Sequence, residues 1–214
     1  MMKNYRLYLF DFDYTLVNSE SAILKCFHIT LDKTGWPQRA DEDIRRTIGL
    51  PMMDAIKEVI QSQDEDAARA FLEIYKHEAD QYMTAGTHFF PHTIAVLRAL
   101  REAGAKIGII SSKTRHRIQE KFDADGVPEL IDRIIGSDDV TAHKPSPEGI
   151  FKALDYFQIS KNQVLYTGDS YVDAGAAQNA GVDFAAVTTG TTTAKEFEAY
   201  PHVKIMQDIG ELVD

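Results

Sequence analysis

Tyr5-Arg6-Leu7-Tyr8-Leu9-Phe10-Asp11-Phe12-Asp13-Tyr14-Thr15-Leu16 decides how the rest of the chain is read. Tyr5 to Phe10 is a short aromatic and aliphatic run that reads as a buried strand ending on two acids. No partner strand lies nearby in sequence. Over residues 15–86 the signals are helical. Asn18 to Thr34 puts Ile23, Phe27 and Leu31 on one face and stops at Gly35 and Pro37. Trp36 to Ile48 has no clear period. Glu65 to Tyr82 carries Phe71, Tyr75, Ala79 and Tyr82 on one stripe. From His88 the pattern changes. A helix near Thr93 to Ala103 ends at Gly104, and the β-branched run Lys106-Ile107-Gly108-Ile109-Ile110 follows. Helices then alternate with short apolar strands at Leu130 to Ile135, Val164 to Thr167, Phe184 to Thr188 and Val203 to Met206. Alternation of this kind predicts a parallel sheet with helices on both faces. The first strand joins that later sheet, so the fold class is α/β, doubly wound, with an all-helical block inserted after the first strand.

The 214 residues are enough for one core plus a small inserted unit. Hydrophobic residues are 44% and charged residues 26%, the composition of a globular chain. A formal net charge of −10 speaks against nonspecific binding to nucleic acid or to an anionic membrane. It does not exclude a phosphorylated ligand, because a metal ion and a few donors reverse the sign inside a pocket. The lone cysteine, Cys26, excludes an intrachain disulfide and reads as helix packing. The apolar stretch Leu7 to Phe10 is cut short by Asp11 and Asp13, unlike a signal peptide, and no run is long enough for a membrane span. The expectation is a cytoplasmic protein, monomer or homodimer.

In a doubly wound sheet ligands bind beyond the carboxyl ends of the strands. Four such ends carry polar residues here. The first is Asp11-Phe12-Asp13, whose carboxylates at i and i+2 leave the strand on the same side and repel unless a cation lies between them. The second is Ser111-Ser112-Lys113. The third is Lys144, kept extended by Pro145, with Ser146 and Pro147 read as the cap and first residue of the next helix. A lysine at a helix start suits a phosphate. The fourth is Gly168-Asp169-Ser170-Tyr171-Val172-Asp173.

These four sets, in this order and with a helical insertion after the first, closely resemble the haloacid dehalogenase-like superfamily of phosphohydrolases. The branch they resemble includes phosphoglycolate phosphatases, a bacillary pyrophosphatase and β-phosphoglucomutase. The resemblance implies a Rossmann-like catalytic core at 1–14 and 87–214 and a mobile helical cap at 15–86, with hinges near Asn18 and near Thr84 to Gly86. It also implies a magnesium-dependent reaction on a small phosphorylated metabolite. Asp11 is the implied nucleophile and Asp13 the implied acid and base. Asp11, the Asp13 backbone carbonyl and Asp169 are the implied magnesium ligands. Ser111 and Lys144 grip the phosphoryl oxygens, Ser112 adds a substrate contact, and Asp173 with Ser170 supports Lys144 or metal-bound water.

The chain departs from the family pattern at Tyr14, where glycine is usual, and at Asn18, Ser112 and His92. Tyr14 is expected to crowd the turn or wall the pocket. His92 and His143 lack metal-like spacing. Arg45 and Arg46 read as a solvated helix face, with a role in binding the far end of the substrate as the other possibility. The cap loop Thr47-Ile48-Gly49-Leu50-Pro51-Met52 has apolar residues where the mutase carries cations, which favours a hydrolase over the mutase. Phosphoglycolate and pyrophosphate are the leading substrates by resemblance. A receiver-type signalling module also phosphorylates a strand-end aspartate, but it needs neither the helical block nor a second acid.

Overall fold

The structure, a computed structural model, describes residues 4–213. The first half of the chain runs β1 (Leu7–Phe10), β2 (Val17–Asn18), α1 (Glu20–Thr34), α2 (Asp41–Arg45), α3 (Met52–Ile60), α4 (Glu65–Tyr82) and β3 (His88–Phe89). The second half runs α5 (Thr93–Glu102), β4 (Lys106–Ile110), α6 (Arg115–Ala124), β5 (Arg133–Ile135), α7 (Glu148–Phe157), β6 (Val164–Gly168), α8 (Tyr171–Ala180), β7 (Asp183–Val187), α9 (Ala194–Phe197) and β8 (Lys204–Met206).

β1 lies inside a six-stranded parallel sheet of order β5-β4-β1-β6-β7-β8. Its register pairs Phe10 with Ile109 on one side and with Thr167 on the other. All four of its residues are buried, as a strand covered on both faces requires. The pleat alternates them: Tyr8 and Phe10 enter one apolar cluster with α5 and α6 residues, while Leu7 and Leu9 enter the opposite one with α7 and α8 residues. The chain goes from β1 to β4 and β5, then crosses back to β6 on the other flank of β1. That reversal makes the carboxyl end of β1 the switch point where a crevice opens.

The helices α1 to α4 build a third apolar cluster of their own around Phe27, Ile56, Phe71 and Tyr75. α1 ends at Gly35 in the left-handed conformation (φ 73°) and α4 starts at Asp64, whose side chain accepts from the Asp66 and Ala67 amides. Among the described residues, no helix is long and apolar enough to cross a membrane.

Local readings change in four places. The helical block is entered and left through a two-stranded antiparallel ribbon, β2 with β3, where no strand is expected; two residues are too few to show a period. Asn18 lies in that ribbon, and the helix begins at Glu20, whose amide donates to the Asn18 side chain. The strand expected at Leu130 to Ile135 begins at Arg133, because Pro128 opens a 3-10 turn through Leu130. α7 begins at Glu148, so Pro147 is the cap position and Ser146 Oγ takes the Glu148 amide from one residue further out.

Candidate active site

The crevice is built from the carboxyl ends of β1, β4 and β6 and from the loop before α7. Asp11 continues the sheet by one residue, its amide donating to the Thr167 carbonyl (2.9 Å). Phe12 points into the core, so Asp11 and Asp13 emerge together. The chain then reverses at Tyr14, which holds φ at 60°, with the Leu16 amide on the Phe12 carbonyl (2.9 Å). A left-handed tyrosine costs about 1–2 kcal/mol relative to glycine. Three contacts offset this. Its amide donates to the Val17 carbonyl, its hydroxyl donates to Glu20 (2.6 Å), and its carbonyl accepts from Thr189. Tyr14 does not line the cavity, so it does not wall it.

Lys144 is buried and reaches Asp11 Oδ2 at 3.0 Å and Asp173 Oδ1 at 2.6 Å. Asp173 is wholly buried and also accepts from Tyr166 Oη (2.7 Å) and from the Ser170 amide and hydroxyl. It forms a capping box with Ser170 at the start of α8, so its structural and orienting roles coincide. Asp169 is 4% exposed and accepts from Thr15 Oγ1 (3.0 Å). A side chain on Gly190 would collide with the Asp169 carboxylate, so the loop after β7 closes on that acid only as glycine. At the end of β4, Ser111 is buried, Ser112 Oγ donates to the Gly49 carbonyl (2.8 Å), and Lys113 Nζ donates to both oxygens of Asp13 (2.9 and 2.8 Å). Ser19 also donates to Asp13.

Asp11, Asp169 and Asp173 converge so that one oxygen from each lies within 4.8 Å of the others. Burial pushes the Asp11 carboxyl up to about 6, with Lys144 opposing and Asp173 adding. Burial, then Asp173 and Asp11, hold Asp169 well above the ordinary carboxylate range, against Lys144. Burial pulls the Lys144 ammonium down, but Asp11 and Asp173 outweigh it and raise it above its ordinary value. One buried ammonium cannot neutralise three buried carboxylates, and Asp11 Oδ1 is buried with no hydrogen-bond partner among the described residues. An all-oxygen set with an orphaned carboxylate oxygen and surplus negative charge fits a hard divalent cation.

Arg45 and Arg46 stand outside this grouping. Arg45 is held by Glu20 (2.8 Å) and Glu42 (2.6 Å), and Arg46 by Glu42 (3.1 Å). Neither lines the cavity that opens above Asp11 and Asp13. That cavity, about 280 Å3, has Ser111, Ser112 and Lys113 in its floor and residues of α1, α3, α4 and the Gly49 loop as its roof. Sequence reasoning assigned no role to Lys113, Thr15, Ser19 or Tyr166. Lys113 stood in a strand-end polar set, and Tyr166 carried a signal of its own, as a phenol in a buried strand whose hydroxyl needs a partner.

The family model of haloacid dehalogenase-like hydrolases matches residues 8–187. Pyrophosphatase PpaX of Oceanobacillus iheyensis is 27% identical over 208 residues, 97% of this chain and 95% of that protein. Pyrophosphatase PpaX of Listeria monocytogenes is 35% identical over 176 residues, 80% of this chain and 78% of that protein. A haloacid dehalogenase-like hydrolase of Bacteroides fragilis superposes with a TM-score of 0.94 at 44% identity, covering 97% of this chain and 99% of that one. A predicted phosphoglycolate phosphatase of Haemophilus somnus shares the fold, with a TM-score of 0.89 at 22% identity over 100% of this chain and 98% of that one. The match runs from β1 to the end of β7 and takes in all four strand-end motifs, and the chain belongs to the haloacid dehalogenase-like hydrolases.

Proposed function

We propose that the chain is a magnesium-dependent phosphatase acting on a small phosphate monoester through an aspartyl-phosphate intermediate. The observation that carries this reading is the orphaned, buried Oδ1 of Asp11 beside Lys144 and Asp169. It is a nucleophile placed among cationic and cation-binding groups. Asp11 attacks phosphorus, the bond from phosphorus to the leaving oxygen breaks, and Asp13 gives that oxygen its proton. Asp13 then takes a proton from water, whose oxygen displaces Asp11 and releases inorganic phosphate. Magnesium, held by Asp11, Asp169 and the Asp13 backbone carbonyl, would neutralise charge on the phosphoryl oxygens. Ser111 and Lys144 bind those oxygens. Asp173 and Ser170 keep Lys144 aimed at them. Lys113 bonds both oxygens of Asp13, so it must let go before Asp13 carries a proton. The incoming phosphate, a competing anion, gives Lys113 another partner.

In this reading residues 15–86 are a cap over a core formed by 1–14 and 87–214. The β2–β3 ribbon is the hinge, and the Ser112–Gly49 hydrogen bond is a latch between the two. Closing the cap excludes bulk water while the phosphoenzyme exists. The relatives named for pyrophosphate and phosphoglycolate make both compounds first candidates for assay. The test is hydrolysis of an aryl phosphate with and without a chelator, followed by rapid quench and detection of an acid-stable, hydroxylamine-labile phosphoprotein. Turnover should vanish on chelation and return with magnesium. Full activity in excess chelator, or in Asp11→Asn, would falsify this mechanism.

A further inference from the structure

The roof of the cavity names a substrate class that the relatives' names do not. It is formed by Ile23, Phe27, Leu50, Leu72, Tyr75 and Met83, with further aliphatic side chains between them. The only polar side chain that the Gly49 loop adds is Thr47, and its hydroxyl is already spent on the Ile44 carbonyl (2.7 Å). Two roof and rim cations reach the space, and both are engaged. Lys76 pairs with Glu73 (2.8 Å), and Arg117 pairs with Asp80 and with Glu120 (2.9 Å). Lys113, in the floor, is held by Asp13 and, in the phosphatase reading, passes from it to the phosphate being transferred, so it is not left for a second anion. Arg45, the last residue of α2, and Arg46 just after it are paired with Glu20 and Glu42 outside the cavity. A second anion on the substrate would therefore meet mostly hydrocarbon, and among the described residues it would have to take Lys76 or Arg117 from a carboxylate already paired with it to make the charge-assisted bonds that a buried carboxylate or phosphate requires.

The cavity of about 280 Å3 corresponds to roughly nine waters at ~30 Å3 each. Water against such walls has few partners, and an apolar group that displaces it gains affinity. We infer that the natural substrate is a phosphate monoester of an apolar alcohol, with one ring or a short branched chain filling the roof pocket. Pyrophosphate and phosphoglycolate are then poor substrates. This inference rests on the phosphatase reading above and adds to it the nature of the leaving group.

The test uses the full chain with magnesium and four substrates: benzyl phosphate, glycerol phosphate, phosphoglycolate and pyrophosphate. The three esters leave as primary alkoxides, so preference among them reports the roof rather than leaving-group chemistry. kcat/KM for benzyl phosphate should exceed that for each of the other three by at least tenfold. Benzylphosphonate should inhibit with a Ki at least tenfold below that of methylphosphonate, a binding readout independent of turnover. Leu72→Lys, checked for folding by its thermal transition, should narrow the gap between benzyl phosphate and phosphoglycolate at least tenfold. Phosphoglycolate or pyrophosphate as the preferred substrate, or equal inhibition by the two phosphonates, overturns the inference and leaves the phosphatase reading standing. No turnover of any of the four, with Asp11 intact and magnesium present, overturns the phosphatase reading itself.

Discussion

The floor and the roof of the cavity obey opposite rules. At and directly beneath the floor, Asp11, Lys144, Asp169 and Asp173 pack together at 8% exposure or less, and every one is an ionisable group taken out of water. The roof, built on α1, α3 and α4, faces the same space mostly with hydrocarbon, Lys76 being its one charged side chain among the described residues. Burying charge is unfavourable unless partners are placed to high accuracy, and the floor hangs on the central strands of a parallel sheet, each paired on both sides. Burying hydrocarbon needs only shape, so the roof rides on helices joined to the core by the two-residue pairs of the β2–β3 ribbon. In the function proposed above, chemistry belongs to the sheet and selection to the helical block. Variants of the floor should abolish a step or unfold the protein, and variants of the roof and its latches should shift preference and closure.

The largest effect is expected at Asp11. Asp11→Asn removes the proposed nucleophile and should lower kcat by at least ~10⁴-fold on every substrate alike. A loss that varies with the leaving group would instead place Asp11 in specificity and break the division between floor and roof. Next is Lys144→Met. It leaves Asp11 and Asp173 buried without their ammonium and should destabilise the fold by about 3–5 kcal/mol, read by urea unfolding. A change below about 1 kcal/mol would mean that the acids are solvated, contrary to their burial.

Ser112→Ala is a smaller test, at the seam between the two regions. It removes the donor to the Gly49 carbonyl, a bond worth about 0.5–1.5 kcal/mol, and should raise KM several-fold with kcat little changed. An equal fall in kcat would put Ser112 in the chemical step. The smallest effect is expected at Glu20, which ties Tyr14 of the loop after β1 to Arg45 of α2. Arg45 holds the Glu20 carboxyl below its ordinary 4.5, burial opposes, and Tyr14 adds to the lowering. The folded chain therefore binds this proton less readily than the unfolded chain. The stabilisation is full above 4.5 and fades as pH falls through the lowered value. Thermal melts of Glu20→Gln and the parent chain should differ at pH 6 and converge as pH is lowered below 4. A constant difference across that range would show that the link is not ionic.

Much of the floor was readable because strand-end chemistry is local in sequence. Asp11 and Asp13 follow one apolar run, Ser111 another, and Asp169 a third, and any parallel sheet brings such ends together. The Lys144–Asp173 pair was anticipated as one of two options, and the structure gives it at 2.6 Å. The grip of Lys113 on Asp13 was not anticipated, because it joins residues whose |i−j| is 100 and a flexible side chain leaves no periodic trace. The same holds for Thr15 on Asp169, 154 positions apart in sequence.

The sequence by itself determined the α/β class, the inserted helical block and the acids gathered at the strand ends. Those features rest on periodicity and on the alternation of elements, which are short-range properties of the chain. Only the tertiary structure decided which face of the helical block looks at Asp11. An amphipathic helix has one apolar stripe, and that stripe serves equally to pack against other helices or to line a cavity. Phe27 and Tyr75 do both, touching each other at 4.8 Å between ring centres while bordering the open space. Tertiary structure also decided that Arg45 pairs with Glu20 and does not line the cavity, and that Tyr14, at φ 60°, donates its hydroxyl to Glu20. In both cases the outcome depends on where an acid on another turn of chain sits, and no spacing within the sequence encodes that position.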